Sequence, residues 1–274
     1  MAEPRVRVNG RGAAAQWAAL RAYGKLSARF GHRGMQKFSW LLGRFLDGAA
    51  TIDLGGPQLR IRLADGYWTK LLLGDPYEPK VYELLEHVLG PDIPLLDCGA
   101  NIGYWSVLAS SRWRAPVVAV EASRSTYDEL LGNNRLNGEL FTPLRAAVWS
   151  TDGEVLRLVT HDLRHAGSSV VNRRERIGQF GYHVEDVETV TIDRLVERYF
   201  PHSRIVIKLD VEGAECAALT GAEKTLSDLD AVLVYEDADG AVTQRVRALG
   251  YHSEPIDDVN HVACRVRRRV SPPP

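Results

Sequence analysis

Along the first fifty residues, apolar positions recur at three- and four-residue steps. Trp17, Leu20, Tyr23, Leu26 and Phe30 line one helical face. After Gly31 and Gly34, the set Phe38, Leu41, Leu42 and Phe45 predicts a second amphipathic helix. From residue 51 the period shortens. Residues 51–54, 58–63 and 67–73 carry the pattern of short strands, with Gly55-Gly56-Pro57 and Ala64-Asp65-Gly66 as turns, so a small antiparallel meander is expected. Residues 75–79 then open a helix whose apolar face holds Val81, Leu84, Leu85 and Val88.

After Gly90-Pro91 strands and helices alternate. Strands are expected at 94–98, 116–120, 144–149, 204–209 and 231–235, and helices at 103–111, 125–136, 214–226 and 241–249. The strands are near-continuous apolar runs, the pattern of a sheet covered by helices on both faces. The expected architecture is therefore α/β, a doubly wound and mostly parallel sheet. Residues 250–256 and 260–267 suit a closing hairpin, and 268–274 a frayed tail. Between 150 and 190 several glycines break the alternation, and Val155, Leu156, Leu158 and Val159 suggest extra strands. An insertion there is expected over the carboxyl edge of the sheet, where ligands of open α/β folds bind. The resulting division is a helical extension (1–50), a meander and helix (51–90), a core domain (91–267) with its insertion, and the tail.

The 274 residues suffice for one large α/β domain, and 45% hydrophobic with 25% charged residues is an ordinary soluble composition. Three cysteines, Cys98, Cys216 and Cys264, give no disulfide framework and no four-cysteine zinc site. A reducing, cytoplasmic home is expected. No run approaches the roughly 18 apolar residues of a membrane-spanning helix. The formal charge of −1 hides an asymmetry: residues 1–50 hold nine Lys/Arg against Glu3 and Asp47, or +7, leaving −8 on the other residues. The apolar stripes predict that the basic helices pack on the acidic body. The alternative is peripheral contact with anionic lipid or an acidic partner. No nucleic-acid partner is expected, because there is no aromatic-interleaved basic platform.

The strongest local signal is Leu95-Leu96-Asp97-Cys98-Gly99-Ala100-Asn101-Ile102-Gly103. An acid ends the first core strand, Gly99 permits a tight turn, and Gly103 lets the next helix pack closely. The spacing departs from G-x-G-x-x-G, and Asp97 suits a cationic ligand better than a pyrophosphate. The second strand also ends in an acid, Glu121, 24 residues after Asp97 and followed by Ala122. A carboxylate there accepts hydrogen bonds from ribose hydroxyls. Together these residues describe an adenosine site that tolerates positive charge. S-adenosylmethionine fits, with a nicotinamide cofactor and hydride transfer as the alternative, and a non-catalytic scaffold as a third reading.

Four segments occur in order: Tyr77-Glu78-Pro79, the glycine loop from Leu96 to Tyr104, Val120-Glu121-Ala122, and Ile207-Lys208-Leu209-Asp210-Val211-Glu212-Gly213-Ala214-Glu215. The set resembles the FkbM family of S-adenosylmethionine-dependent methyltransferases over about residues 55–250. Its most specific part is the Lys-x-Asp-x-Glu-Gly-x-Glu run. The resemblance implies a Rossmann-like class I methyltransferase fold. It also implies methyl transfer to oxygen, often a hydroxyl of a sugar, glycolipid or secondary metabolite. The basic helices of residues 1–50 lie outside it.

A hydroxyl is a poor nucleophile, so a general base is needed within hydrogen-bond reach. Asp210 and Glu212 are the first candidates and Glu236 the third, with Lys208 as an ionic partner that orients Asp210. His165 and His183, in the insertion, are further candidates. Glu215 is read as an ordinary first-turn acid. Glu78 either contacts the cofactor's amino end or merely precedes a proline at a helix start. With Asp97, Gly99, Ala100, Asn101, Gly103, Glu121 and Ala122 it completes the expected cofactor set. Gly167-Ser168-Ser169 suits a lid. Asp210, Glu212 and Glu236 are hard ligands able to hold Mg²⁺, but no spacing in the sequence requires a metal.

Overall fold

A computed structural model of the chain describes residues 5–10, 12–27, 34–161, 182–201 and 204–265. Its first elements are β1 (Val6–Asn9), α1 (Ala13–Ser27), α2 (Met35–Gly43), β2 (Ala49–Asp53), β3 (Gln58–Arg62), α3 (Thr69–Leu72) and α4 (Pro79–Val88). The meander exists, with a different third strand. β1 pairs antiparallel with β2 (Val6 opposite Ile52), giving the order β1-β2-β3. Residues 67–73, expected as a strand, instead form a tight turn and α3. Asp65 Oδ1 accepts the Tyr67 amide at 2.9 Å and turns the chain. Trp68, Thr69, Leu71 and Leu72 are then all buried. A short run buried on every side carries no periodicity to separate helix from strand.

The core follows as β4 (Leu95–Cys98), α5 (Tyr104–Ser111), β5 (Val117–Glu121), α6 (Arg124–Leu136) and β6 (Thr142–Arg145). β7 (Ala147–Val148) follows, and the insertion contributes β8 (Val155–His161) and β9 (Tyr182–Val190). The chain then forms α7 (Ile192–Tyr199), β10 (Ile205–Leu209), α8 (Glu215–Thr220), α9 (Glu223–Asp228), β11 (Ala231–Glu236), α10 (Ala241–Ala248), β12 (His252–Pro255) and β13 (Asn260–Cys264). The main sheet runs β12-β13-β11-β10-β4-β5-β6. The pairs from β11 to β6 are parallel, and β13 pairs antiparallel with both β11 and β12. This is a Rossmann-like, doubly wound sheet. Chain progression reverses between β4 and β10, so the ligand crevice lies at their carboxyl ends.

Alternation along β4 and β10 divides the core. Leu95 and Val206 face one cluster, which reaches through Trp105, Leu108 and Leu85 to Ile52, Leu20 and Met35. Leu96, Cys98, Ile207 and Leu209 face the other, against Leu195, Leu219 and Val246. The amino-terminal elements thus share one continuous core with a face of the sheet.

Three boundaries differ from expectation. The strand expected at 144–149 divides: β6 stays in the main sheet, while β7 leaves it to pair with β9 in a second sheet, β7-β9-β8. The helix expected at 214–226 breaks at Gly221, where an added Cβ would stand 2.2 Å from the Trp149 carbonyl oxygen. Helix α7 is an addition. Thr191 Oγ1 accepts the Arg194 amide at 3.1 Å as its cap, and Ile192, Leu195 and Val196 form its buried stripe.

Candidate active site

A cavity of about 310 Å³ opens at the switch point, within the size range of small-molecule sites. Of the residues expected to bind cofactor, Gly99, Ala100, Asn101, Glu121 and Ala122 line it. The glycine loop is shaped by its own neighbours. Gly99 has φ +81°, and a Cβ there would lie 1.8 Å from the Asp210 carbonyl oxygen. Asn101 also takes a left-handed conformation (φ 52°), with its side-chain oxygen accepting from Trp68 Nε1 at 3.0 Å and from the Ile102 amide at 2.8 Å. The Glu121 carboxylate, ending β5, accepts the amides of Asn101 and Ser123, each at 2.9 Å. Two backbone bonds therefore fix that carboxylate at the cavity wall.

Glu78, Asp97 and Gly103 are not among the residues that line the cavity. Asp97 is buried beneath the loop, where its Oδ2 accepts from Ser106 Oγ at 2.6 Å. Burial raises its pKa, opposed by the nearby Lys208 ammonium. Gly103 (φ +92°) lies against Leu130 of α6 rather than against the strand it was expected to adjoin.

The expected catalytic residues Lys208, Asp210, Glu212 and Glu236 all line the cavity. Lys208 is 2% exposed and donates from Nζ to Asp210 Oδ2 at 3.0 Å. Its burial alone would lower its pKa. The carboxylates of Asp210, Glu78 and Asp97 outweigh that effect and raise it, so the ammonium stays charged. Glu236, at the end of β11, has its pKa raised to about 7, first by burial and then by the charge of Asp210. Glu212 stands at the exposed rim.

Glu78 joins this group from the amino-terminal side. Its carboxylate lies with those of Asp210 and Glu236 so that one oxygen from each is within 4.8 Å of the others. Glu78 is the N-cap residue of α4, in a left-handed conformation (φ 40°), and its side chain makes no cap hydrogen bond. Instead Oε2 accepts from Trp105 Nε1 at 3.2 Å. Glu78 thus stands at the helix start before Pro79, as one reading had it, while its carboxylate turns to Trp105 and the acid cluster. Of the trio expected to suit Mg²⁺, Glu212 is outside this cluster and Glu78 occupies its place. The cation in contact with Asp210 is Lys208. Non-glycine residues with positive φ number five among the described residues, and three of them (Glu78, Asn101 and Glu212) are at this site. Such strain concentrates where side-chain aim is over-determined by the surroundings.

Aromatic side chains form the opposite wall: Tyr67, Trp68, Tyr77, Tyr104 and Trp105. Tyr67 and Tyr77 are joined through their hydroxyls at 3.1 Å. Burial raises the pKa of both, so they present neutral hydroxyls. Sequence reasoning missed this wall. Its signal was the density of aromatic residues beside two of the motifs. Leu158 of β8 and Ala147 and Val148 of β7 close another side, which puts the insertion at the expected edge of the sheet.

The remaining candidates have other roles or lie elsewhere. Glu215 accepts the amides of Val211 and Gly213 and holds the turn after β10, a structural role as expected. His183 Nε2 lies 2.7 Å from Thr160 Oγ1 across the β8–β9 ladder and is not among the cavity-lining residues. His165 and Gly167-Ser168-Ser169 lie outside the described residues. No helix among the described residues is long and apolar enough to cross a membrane.

Comparison with known proteins gives a consistent picture. The hexuronic acid methyltransferase AglP of Haloferax volcanii is 29% identical over 158 residues. The match covers 57% of this chain and 61% of the relative, so the chain spans about three fifths of that curated relative's length. Among solved structures, an FkbM methyltransferase from Methylobacillus flagellatus aligns at 16% identity over 64% of this chain and 44% of that one (TM-score 0.42). M. jannaschii TYW2, in complex with AdoMet, aligns at 15% identity over 79% and 84% (TM-score 0.42). The methyltransferase FkbM domain family matches residues 97–253, from the acid of the glycine loop to the closing hairpin, and the chain belongs to that family.

Proposed function

We propose that the chain transfers a methyl group from S-adenosylmethionine to a hydroxyl oxygen of a sugar or glycolipid, with Glu236 as the general base. The observation that carries this reading is the cluster of Glu78, Asp210 and Glu236 around the Lys208–Asp210 pair, of which Lys208, Asp210 and Glu236 line the same cavity as Glu121. The donor set suits that cofactor. A carboxylate at the end of β5, as Glu121 is, suits ribose hydroxyls, and an acid-rich cavity favours a sulfonium and an ammonium over a pyrophosphate. When bound, the cofactor supplies an activated methyl group on sulfur, whose S–C bond breaks as the acceptor's C–O bond forms.

The chain's own residues supply placement and proton transfer. Lys208 holds Asp210 in one orientation, and Asp210 in turn raises the proton affinity of Glu236. A carboxylate with pKa about 7 accepts a hydroxyl proton near neutral pH more readily than one at its ordinary value. The tyrosine hydroxyls and tryptophan faces of the opposite wall suit the polar edges and apolar faces of a pyranose. That the AglP relative is a hexuronic acid methyltransferase supports a sugar acceptor.

The test combines calorimetric titration with S-adenosylmethionine, S-adenosylhomocysteine and NAD with a methyl-transfer assay on sugars and glycolipids. Binding of the first two alone, with transfer to a hydroxyl, is expected. Glu236→Gln should then lower kcat by about 10²–10⁴-fold while leaving cofactor affinity intact. Binding of NAD would overturn the cofactor assignment. An unchanged kcat in Glu236→Gln, with loss in Asp210→Asn, would move the base to Asp210.

A further inference from the structure

Helices α1 and α2 contain no acidic residue, in a chain whose other residues are net acidic. Their inner faces are fully used. Leu20 and Met35 are buried in the core, Tyr23 stacks on Phe38 at 4.5 Å, and Ser39 Oγ meets Thr69 Oγ1 of α3 at 3.3 Å. The approach of α2 to the turn before α3 is so close that a Cβ on Gly66 would stand 2.2 Å from Gln36 Cα.

The outer face of α2 differs. Lys37, Leu41 and Phe45 recur at four-residue steps, and the Phe45 amide still bonds the Leu42 carbonyl, so the three share one side of the helical turn. Phe45 is 78% exposed and Leu41 48%, and Leu26, at the end of α1, is 77% exposed. Arg44 lies over the Trp40 ring, its guanidinium carbon 5.4 Å from the centroid. Arg21 and Lys25 are exposed on α1. Large exposed apolar residues flanked by cations, without an acid between them, form an amphipathic interfacial surface.

We infer that the outer face of α2, with the basic face of α1, docks on an anionic lipid bilayer, inserting Leu41 and Phe45 while Lys37 and Arg44 meet the headgroups. Charge complementarity selects this occupant. A second copy joined through the same patch would set Lys37 and Arg44 near their own duplicates, a like-charge contact. A bilayer carrying anionic lipid matches every cation on the face. The placement also bears on the cavity, since α2 packs directly on the segment that carries Tyr67 and Trp68 into its wall. A lipid-borne acceptor would then be presented one packing layer from the membrane; this last point rests on the proposed function, and the docking itself does not.

The test is co-sedimentation of the full chain with vesicles of phosphatidylcholine alone and of phosphatidylcholine with phosphatidylglycerol, at low and high salt. Binding to the anionic vesicles that weakens with salt is expected. Lys37→Glu/Arg44→Glu and Leu41→Ser/Phe45→Ser should each reduce partitioning by about tenfold or more. Their circular dichroism and S-adenosylmethionine affinity should match the parent, which separates lost docking from lost folding. No sedimentation with anionic vesicles, or equal sedimentation by the parent and both variants, would overturn the inference. So would a parent dimer that Leu41→Ser/Phe45→Ser dissociates.

Discussion

The carboxyl edge of the sheet and the outer face of the amino-terminal helices handle charge in opposite ways. At the sheet edge, four carboxylates (Asp97, Glu78, Asp210 and Glu236) gather around the single ammonium of Lys208, largely out of water. Each shifts the proton affinity of its neighbours, and one of them, Glu78, sits on a left-handed backbone. On α1 and α2 the cations stand in solvent, without acids in either helix. Burial makes the first group a rigid set whose energies are largely immune to salt. Exposure makes the second a diffuse field that salt screens within about 10 Å. A site that must hold a proton at one atom needs the first arrangement, and a surface that must find a broad charged partner needs the second.

Several substitutions break or sharpen that contrast. The largest effect is expected from the loss of turnover in Glu236→Gln described above. Next, Lys208→Met should destabilise the fold by about 3–5 kcal/mol, because it strands buried carboxylates without their cation. Chemical denaturation measures this, and Lys208→Arg should restore only part of it, since a planar fork replaces a compact charge. Gly99→Ala should cost about 3 kcal/mol through its clash with the Asp210 carbonyl and its left-handed backbone. It should abolish cofactor binding even in molecules that remain folded.

The pH dependence follows from Glu236. With Glu236 as the base, as proposed, kcat should climb about tenfold per unit below pH 7 and level off above it. The stability effect has the opposite sign. Between its unfolded value of 4.5 and about 7, the folded chain holds a proton that the unfolded chain has lost, so Glu236 favours folding less as pH rises. Partial exposure keeps that contribution small, and Glu236→Gln should flatten the slope. The smallest effect is expected at the sheet edge on adding salt, where cofactor affinity should barely change while vesicle partitioning falls.

Much of this was legible in the chain. The strands read clearly because β5, β10 and β11 are near-continuous apolar runs, and the acids that end them or follow them are visible in the sequence. Glu121, Asp210 and Glu236 were therefore identifiable as residues of one sheet edge. The aromatic wall was not, because Tyr67 and Trp68 sit in a segment buried on every side, where no period distinguishes strand from helix. Helix α7 had a readable signal, Thr191 before Ile192, Leu195 and Val196, obscured by the irregular insertion it follows. β1 was too short, and too far in sequence from β2, for its pairing to show. Glu78 was found as a motif residue. Its company with Asp210 and Glu236 depends on a left-handed backbone and on the packing of α4, neither of which has a local pattern.

The approach of Gly99 to the Asp210 carbonyl has a bearing on traffic into and out of the cavity. The Asp210 amide also donates to the Cys98 carbonyl at 3.1 Å, so the ends of β4 and β10 are stitched together at the floor of the switch point. Parting the two halves of the sheet would undo both contacts at once, which closes that route for ligand exchange. The cavity's other walls include Tyr67, Trp68 and Leu158, and exchange is left to their side. Where release limits the rate, the turnover ceiling is set on that side, and selection can retune it there without disturbing the floor.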